Sequence, residues 1–449
     1  MSEPRRHLGA GAAMSVVVQG GPLLAGGVLS IVIARTIGPA GNGNFALLLT
    51  LAGLVAMVAS LGLTAGITYE VSRGRWSVGQ AFRTTYLVAL GVGSIGALAG
   101  FVVFLLLQDS VFHHLGTDLG VLALASVPPL LAYQYGDAIL LARERYEGYA
   151  ALEISHSATL LLVGVVLVFP FELTGAVIAL PAAAIAGAIT GAFLLARETH
   201  RDTVPEGPGS LSRALRFGLQ SWGANLLQQV NYRFDVIILG GFAAAAAVGI
   251  YSVALTMTAV AWVLPQALQT VLFPRAASLD EAALTGEITA DDSDAAVAKA
   301  VRHSVLLTVP AALIIVALLL IAIPVLYGSK FHESIALGFV LLPGVLLLGI
   351  GKVLSSAIAG RGYPRYTLTV AAITMPLTLG LYFLLIPLYD EWGAAVASSL
   401  SYALSAVLAL VFFRRVTRIG LRQALVPLSE DVADYGGLLN LARAWRLGR

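Results

Sequence analysis

The sequence predicts an all-α polytopic membrane protein: twelve transmembrane helices in two six-helix lobes, related by a pseudo-two-fold axis along the membrane normal. Three observations carry that expectation. Apolar stretches of about 20 residues, the length that crosses a hydrocarbon core, recur along the chain. Of the 449 residues 58% are apolar and 12% charged, against roughly 25% charged in soluble domains; no aqueous globule hides that much apolar surface. Of the 27 Lys and Arg, 23 fall at the termini or in every second connection, which is the positive-inside bias of helical membrane proteins.

In order, the expected spans are 11–34, 43–68, 84–107, 119–141, 150–169, 174–196, 217–240, 249–273, 303–327, 335–359, 367–387 and 393–413. Arg5 and Arg6 precede the first, which is long enough to stay in the membrane rather than be cleaved as a signal. The inner connections carry Arg73, Arg75 and Arg83, then Arg143 and Arg145, then Arg197, Arg201, Arg213 and Arg216. Arg275, Lys299 and Arg302 follow, then Arg361 and Arg365, and Arg414, Arg415, Arg418 and Arg422 close the last span. The opposite connections keep Arg35 and Lys330 and are short, as at Phe171–Thr174 and Tyr389–Trp392. An even number of spans leaves both termini in the cytoplasm. The acidic inner loop from Ser278 to Ala300 does not disturb this, because acidic residues weigh little in orientation.

A Gly-, Pro- and Ser-rich stretch divides the spans. The expected organisation is an N-terminal lobe over 1–200, a cytoplasmic linker over 201–216, a C-terminal lobe over 217–415 and a cytoplasmic tail over 416–449. In the tail, Leu438, Leu439, Leu441, Ala442 and Trp445 with Arg443 and Arg446 suit either a helix on the inner leaflet or a frayed end. Gly43-Asn44-Phe45-Ala46-Leu47-Leu48 aligns weakly with Gly249-Ile250-Tyr251-Ser252-Val253-Ala254. Six spans per set gives both sets one orientation, as in parallel-repeat transporters, which enclose a central cavity and work by alternating access.

Composition excludes several classes. Net charge is only +2 and no basic face is concentrated enough for nucleic acid. There is no cysteine, hence no disulfide, thiolate nucleophile or Cys-ligated zinc. No phosphate-binding glycine loop, metal-ligand spacing or catalytic constellation stands out, so no cofactor, no metal and no enzymatic step are expected.

Ala34-Arg35-Thr36-Ile37-Gly38-Pro39-Ala40-Gly41-Asn42-Gly43-Asn44-Phe45 resembles the first-loop signature of polysaccharide flippases of the multidrug/oligosaccharidyl-lipid/polysaccharide exporter superfamily. Tyr232-Arg233-Phe234-Asp235, then Leu239-Gly240 and the Gly249–Ala254 run, resembles the start of that family's second half. The resemblance covers about residues 8–415 in span count and loop length. It implies two lobes forming a V, and a polyprenyl-(di)phosphate-linked oligosaccharide moved from the inner to the outer leaflet of a bacterial or archaeal cytoplasmic membrane. Membrane lipids and glycosyltransferases of the same pathway are the implied partners. Family members that flip the peptidoglycan precursor carry arginines in the first two spans and two extra spans; this chain has neither, so that cargo is not expected.

Polar residues inside a membrane usually face a cavity or another helix. The seventh span is the most polar. Ser221, Asn225, Gln228, Tyr232 and Asp235 form one stripe, with Trp222, Gln229 and Arg233 beside it. The stripe suits sugar hydroxyls; the alternative is hydrogen bonding between helices. Arg233 would hold a diphosphate or snorkel outward. Asp235 would neutralise Arg233 from a neighbouring turn or carry a coupling cation. Lys352 would bind phosphate near the loading side or snorkel to inner headgroups. Gln19 in span one and Gln134 in span four are the remaining candidate substrate contacts. Asp137 and Glu153 are expected to pair with Arg143 and Arg145, with His156 as an alternative proton relay beside them. Two other functions fit the same spans: a cation-coupled multidrug exporter using Asp235, Asp137 or Glu153, and a membrane-embedded glycan polymerase or ligase. The latter usually needs a large outer segment, and the longest outer connection, around Gln108–Asp118, has the length of an ordinary connector.

Overall fold

The computed structural model describes residues 4–200, 211–263, 289–417 and 419–431, and also 265, 266, 268, 269, 272, 276, 278, 279 and 285; side chains are described from 20 onward, except at 220, 221, 224, 225 and 290. The proposed tail helix over 438–446 and most of the linker therefore lie outside the described residues.

The first lobe contains α1 (Pro4–Thr36), α2 (Gly38–Ala59), α3 (Leu63–Ser72), α4 (Val78–Leu106), α5 (Thr117–Leu124), α6 (Val127–Ala142) and α7 (Tyr146–Thr199). The second contains α8 (Leu211–Phe242), α9 (Ala245–Ala259), α10 (Ala290–Ala317), α11 (Glu333–Gly360) and α12 (Pro364–Val416). A π-helical segment, Leu318–Tyr327, continues α10, and a short α13 (Leu421–Leu425) follows the last span.

Two of these helices cross the bilayer twice. Glu172 (φ 49°) in α7 and Asp390 (φ 47°) in α12 break the helical backbone. A Cβ on Gly175 would strike the Leu167 carbonyl, and one on Gly393 would strike that of Leu385. A straight helix would hold those residues about 12 Å apart, so each helix folds into an antiparallel hairpin. Both reversals fall inside the expected outer connections, Phe171–Thr174 and Tyr389–Trp392. Among the described residues eight helices are long and apolar enough to cross a membrane; counting the two hairpins twice and adding α1 and α8 gives twelve passes, in agreement with the expected fold class.

Two spans are broken where the sequence suggests continuity. The second stops at Ala59 and resumes at Leu63, with Leu61 (φ 48°) and Gly62 (φ 69°) in the left-handed region. Gly62 lies against the Gly218 carbonyl of α8 so closely that a side chain would collide. The fourth span is interrupted before α6, whose first turn holds proline, where a missing N–H is harmless.

The lobes meet at a reciprocal contact. A Cβ on Gly43 would strike the Ala245 carbonyl and the Gly249 nitrogen; one on Gly249 would strike the Pro39 carbonyl and the Gly43 nitrogen. Exchanging the lobes exchanges the two sets of contacts, so the pseudo-two-fold axis passes between these glycines. Away from the seam, Leu24, Leu87, Leu98, Leu313 and Leu388 are exposed. In water such a belt would aggregate; in a bilayer it is the lipid contact.

Candidate functional site

Between the lobes lies a cavity of about 850 Å³. α8 forms its most polar wall. Trp222, Gln229 and Arg233, which recur on one helical face, all line it, joined at its edge by Gln228 and Tyr232. Gln228 donates to the Tyr232 hydroxyl at 3.1 Å. Opposite are Ser60, Thr64 and Thr68 of the first lobe; Gln266, Gln269 and Trp262 follow α9, and α11 contributes Lys352 and α12 Tyr402.

An aromatic cluster closes the second-lobe side. Tyr232, Trp262 and Tyr402 have ring centroids 5.7, 5.8 and 5.9 Å apart. The Lys352 ammonium sits over two of these rings, 4.4 Å from the centroid of Trp262 and 5.1 Å from that of Tyr232. Aromatic faces attract a cation without neutralising it. Among the described residues, neither Lys352 nor Arg233 has an ion-pair partner, and no Asp or Glu lines the cavity. The wall is therefore net positive, rich in amides and hydroxyls, and backed by aromatic faces.

Contacts along α2, α3, α8 and α9 join the lobes toward both ends of the seam. Toward the Gly43 end, Asn42 donates to the Gly249 carbonyl at 3.3 Å and to Ser252 Oγ at 3.0 Å. Arg35 reaches across the lobes to donate to the Leu326 carbonyl at 2.7 Å and to that of Val325. Toward the Ser72 end, Trp222 Nε1 donates to the Met57 carbonyl at 3.2 Å, and Tyr69 stacks on Phe217 at 4.1 Å. Glu70 accepts from Arg213 at 3.3 Å there.

Of the residues singled out from sequence, Gln228, Tyr232, Arg233 and Lys352 come together at this cavity. Asp235 does not join them. It is fully buried inside the second lobe, where Tyr251 donates to it at 2.7 Å and the Val236 N–H at 2.8 Å. Ser398 links Tyr251 and Tyr382 around it, each at 3.0 Å. Two residues advance an α-helix by about 200°, so Asp235 turns inward where Arg233 faces the cavity. Gln134 is half-buried on α6 and lies outside the cavity wall. Gln19 and Asn225 belong to α1 and α8, but their side chains lie outside the described residues.

The expected pairing of Asp137 and Glu153 with Arg143 and Arg145 does not form. Arg145 pairs with Glu198 at 2.9 Å, because the two flank the close of the α7 hairpin, while Glu153 turns inward to accept from Tyr133. Sequence reasoning also missed several wall residues. Gln266 and Gln269 carry the same signal as the seventh span, amides three apart within apolar text. Trp262 and Tyr402 carry none, since an aromatic in a span reads as core or lipid contact.

Residues 8–280 match the family described as polysaccharide biosynthesis protein. The chain belongs to this family. It is 24% identical, over 84% of its length and 77% of the relative's, to the probable low-salt glycan biosynthesis flippase Agl15 of Haloferax volcanii. Its fold is similar to that of an inward-facing multidrug resistance transporter of the MATE family in the MOP superfamily, with a TM-score of 0.67 at 16% identity, over 90% of this chain and 98% of that one. It is also similar to the lipid II flippase MurJ in an inward closed conformation, with a TM-score of 0.67 at 11% identity, over 90% and 87% of the two chains.

Proposed function

We propose that this protein flips a polyprenyl-(di)phosphate-linked oligosaccharide from the inner to the outer leaflet by alternating access. One observation carries the reading: among the described residues, an inter-lobe cavity with two cations lacking an ion-pair partner, abundant amides and hydroxyls, and no acidic group in its wall. Arg233 offers a planar fork to the (di)phosphate and Lys352 a point charge. Gln228, Gln229, Gln266 and Gln269 meet sugar hydroxyls, and Trp262 and Tyr402 offer faces to sugar rings. The isoprenoid tail stays in lipid beside the lobes. The cytoplasmic orientation of both termini, from the basic connections, makes the Arg143 and Arg365 side the loading side. The lobes would run over 1–200 and 217–415, with the 201–216 linker between them and the 416–449 tail inside. Glycosyltransferases supplying the cargo are the natural partners.

No bond is made or broken in this cycle, so covalent product analysis with lipid-linked glycan should return the substrate unchanged, which separates flipping from polymerisation or ligation. A cationic-drug exporter is disfavoured by a wall that repels cations. Arg233→Ala and Lys352→Ala should each lower surface glycan about tenfold or more, the scale of a lost charge-assisted contact. Normal surface glycan in both variants would remove this site assignment.

A further inference from the structure

Beside the cargo cavity lies a second, smaller hollow that the flipping reading leaves unused. It measures about 30 Å³ and sits inside the second lobe, between α8, α11 and the two limbs of α12. That is room for a water-sized group and little more. Asn231, Ser355, Thr367, Thr374 and Ser405 give it a polar wall. Lys352 lines both this hollow and the cargo cavity. Its ammonium rests on the cavity side, over the rings of Trp262 and Tyr232. Ring faces attract a cation but leave its N–H groups without strong acceptors.

The hollow offers what the rings lack. Asn231 is 4% exposed, and its Oδ1 is buried without a hydrogen-bond partner among the described residues. The Thr374 and Ser405 hydroxyls donate to the Val370 and Ser401 carbonyls at 2.8 and 3.0 Å. A hydroxyl whose hydrogen is so engaged presents only lone pairs to the space before it. The Asn231 backbone is held in place, since the Tyr382 hydroxyl donates to its carbonyl at 3.4 Å. Among the described residues Lys352 is the one charged group on the hollow's wall. A wall of acceptors suits a group made of donors alone, and an ammonium, with three N–H groups and no lone pair, is such a group.

We propose that the Lys352 ammonium has two seats, one over the rings and one in the hollow, and that Asn231 is the positioning residue that holds the second. In the first seat the charge faces the cavity and meets a phosphate. In the second it is withdrawn from the cavity and hydrogen-bonded to Asn231 Oδ1 and the neighbouring hydroxyls. An anion in the cavity draws the ammonium to the first seat, because it binds that arrangement better. When the anion leaves, the second seat supplies new partners, so the ammonium is not left bare in a desolvated wall. The anion's identity as the cargo (di)phosphate rests on the flipping reading; the two seats do not.

The chain has three lysines, Lys299, Lys330 and Lys352, so the full-length protein with isotope-labelled lysine gives a simple magnetic resonance spectrum in detergent, and Lys352→Arg identifies one signal by its loss. Protons held over an aromatic face resonate upfield, so the Lys352 signal reports its seat. Asn231→Leu removes the acceptor and fills the hollow, and should move that signal upfield. Asn231→Asp, almost unchanged in size, adds a charge to the second seat and should move it downfield. Inorganic pyrophosphate should move the wild-type signal upfield and leave Asn231→Leu where it is. Unshifted Lys299 and Lys330 signals show that the variants fold. A Lys352 signal that both variants leave in place, or move in the same direction, would overturn the proposal and leave the hollow to water. Opposite shifts in the variants, with a wild type that ignores pyrophosphate, would keep the two seats and remove Lys352 from the cargo's phosphate contacts.

Discussion

Asp235 in the second lobe and Glu153 in the first are both acids buried within helical bundles, yet their surroundings differ in kind. Asp235 accepts from a tyrosine hydroxyl and a backbone N–H, and the tyrosine is itself tied through Ser398 to a second tyrosine. Glu153 accepts from one tyrosine, and around it stand an aspartate oxygen, an imidazole nitrogen and a serine hydroxyl without a partner among the described residues. A saturated network holds its geometry and resists change. An unsaturated one is held less firmly. Burial alone therefore does not tell how firmly an acid is fixed; its satisfied partners do.

The largest test of that contrast is Asp235→Ala. It strands Tyr251, Tyr382 and Ser398 in a sealed interior, and should cost about 3 kcal/mol, read as a large fall in the thermal unfolding midpoint in detergent. Glu153→Gln should cost under about 1 kcal/mol, because a single partner is disturbed in an already unsatisfied cluster. If Glu153→Gln proved the more damaging of the two, the comparison would be broken. Ser157→Ala removes a hydroxyl with no partner among the described residues, so a change within about 0.5 kcal/mol, neutral or stabilising, is expected in the same melt.

A third acid, outside the membrane, sharpens the distinction further. Arg302 donates to both carboxylate oxygens of Asp431, at 2.6 and 3.2 Å, and to the Gln423 carbonyl at 2.9 Å. Those hydrogen bonds hold the Asp431 carboxyl below the usual carboxylate range. Since the folded value is the lowered one, the stabilisation is complete above the ordinary range and is lost as pH falls through the lowered value. A dye placed beside Asp431 should report the segment docked through neutral and mildly acidic pH. Release at neutral pH would mean that this pair contributes nothing.

The passes and the polar helix were readable from the sequence because each rests on local text. Basic residues in alternate connections and amides at helical spacing do not depend on what packs where. The hairpin turns were equally readable: Glu172 and Asp390 interrupt apolar runs that a single crossing could not accommodate. What escaped depends on tertiary direction. Asp235 reads as a neighbour of Arg233 and ends on the far side of the helix. Lys352 reads as a lone cation and finds Trp262, which no spacing announces. Asp137 and Glu153 sit near Arg143 and Arg145 in the chain, but Glu198, brought back by the α7 hairpin, takes Arg145 first.

The glycine contacts between the lobes, Gly43 on Gly249 and Gly62 on Gly218, have a mechanical meaning. Where main chain touches main chain, no rotamers must be reset and no side-chain entropy is spent when one surface rolls over the other. At those points the faces carry no teeth, and what holds the halves beside them is the side-chain hydrogen bonding of Asn42 and Trp222. A single methyl group at Gly43 or Gly249 would be a pebble in that joint: it would wedge the halves apart, although neither glycine lines the cavity.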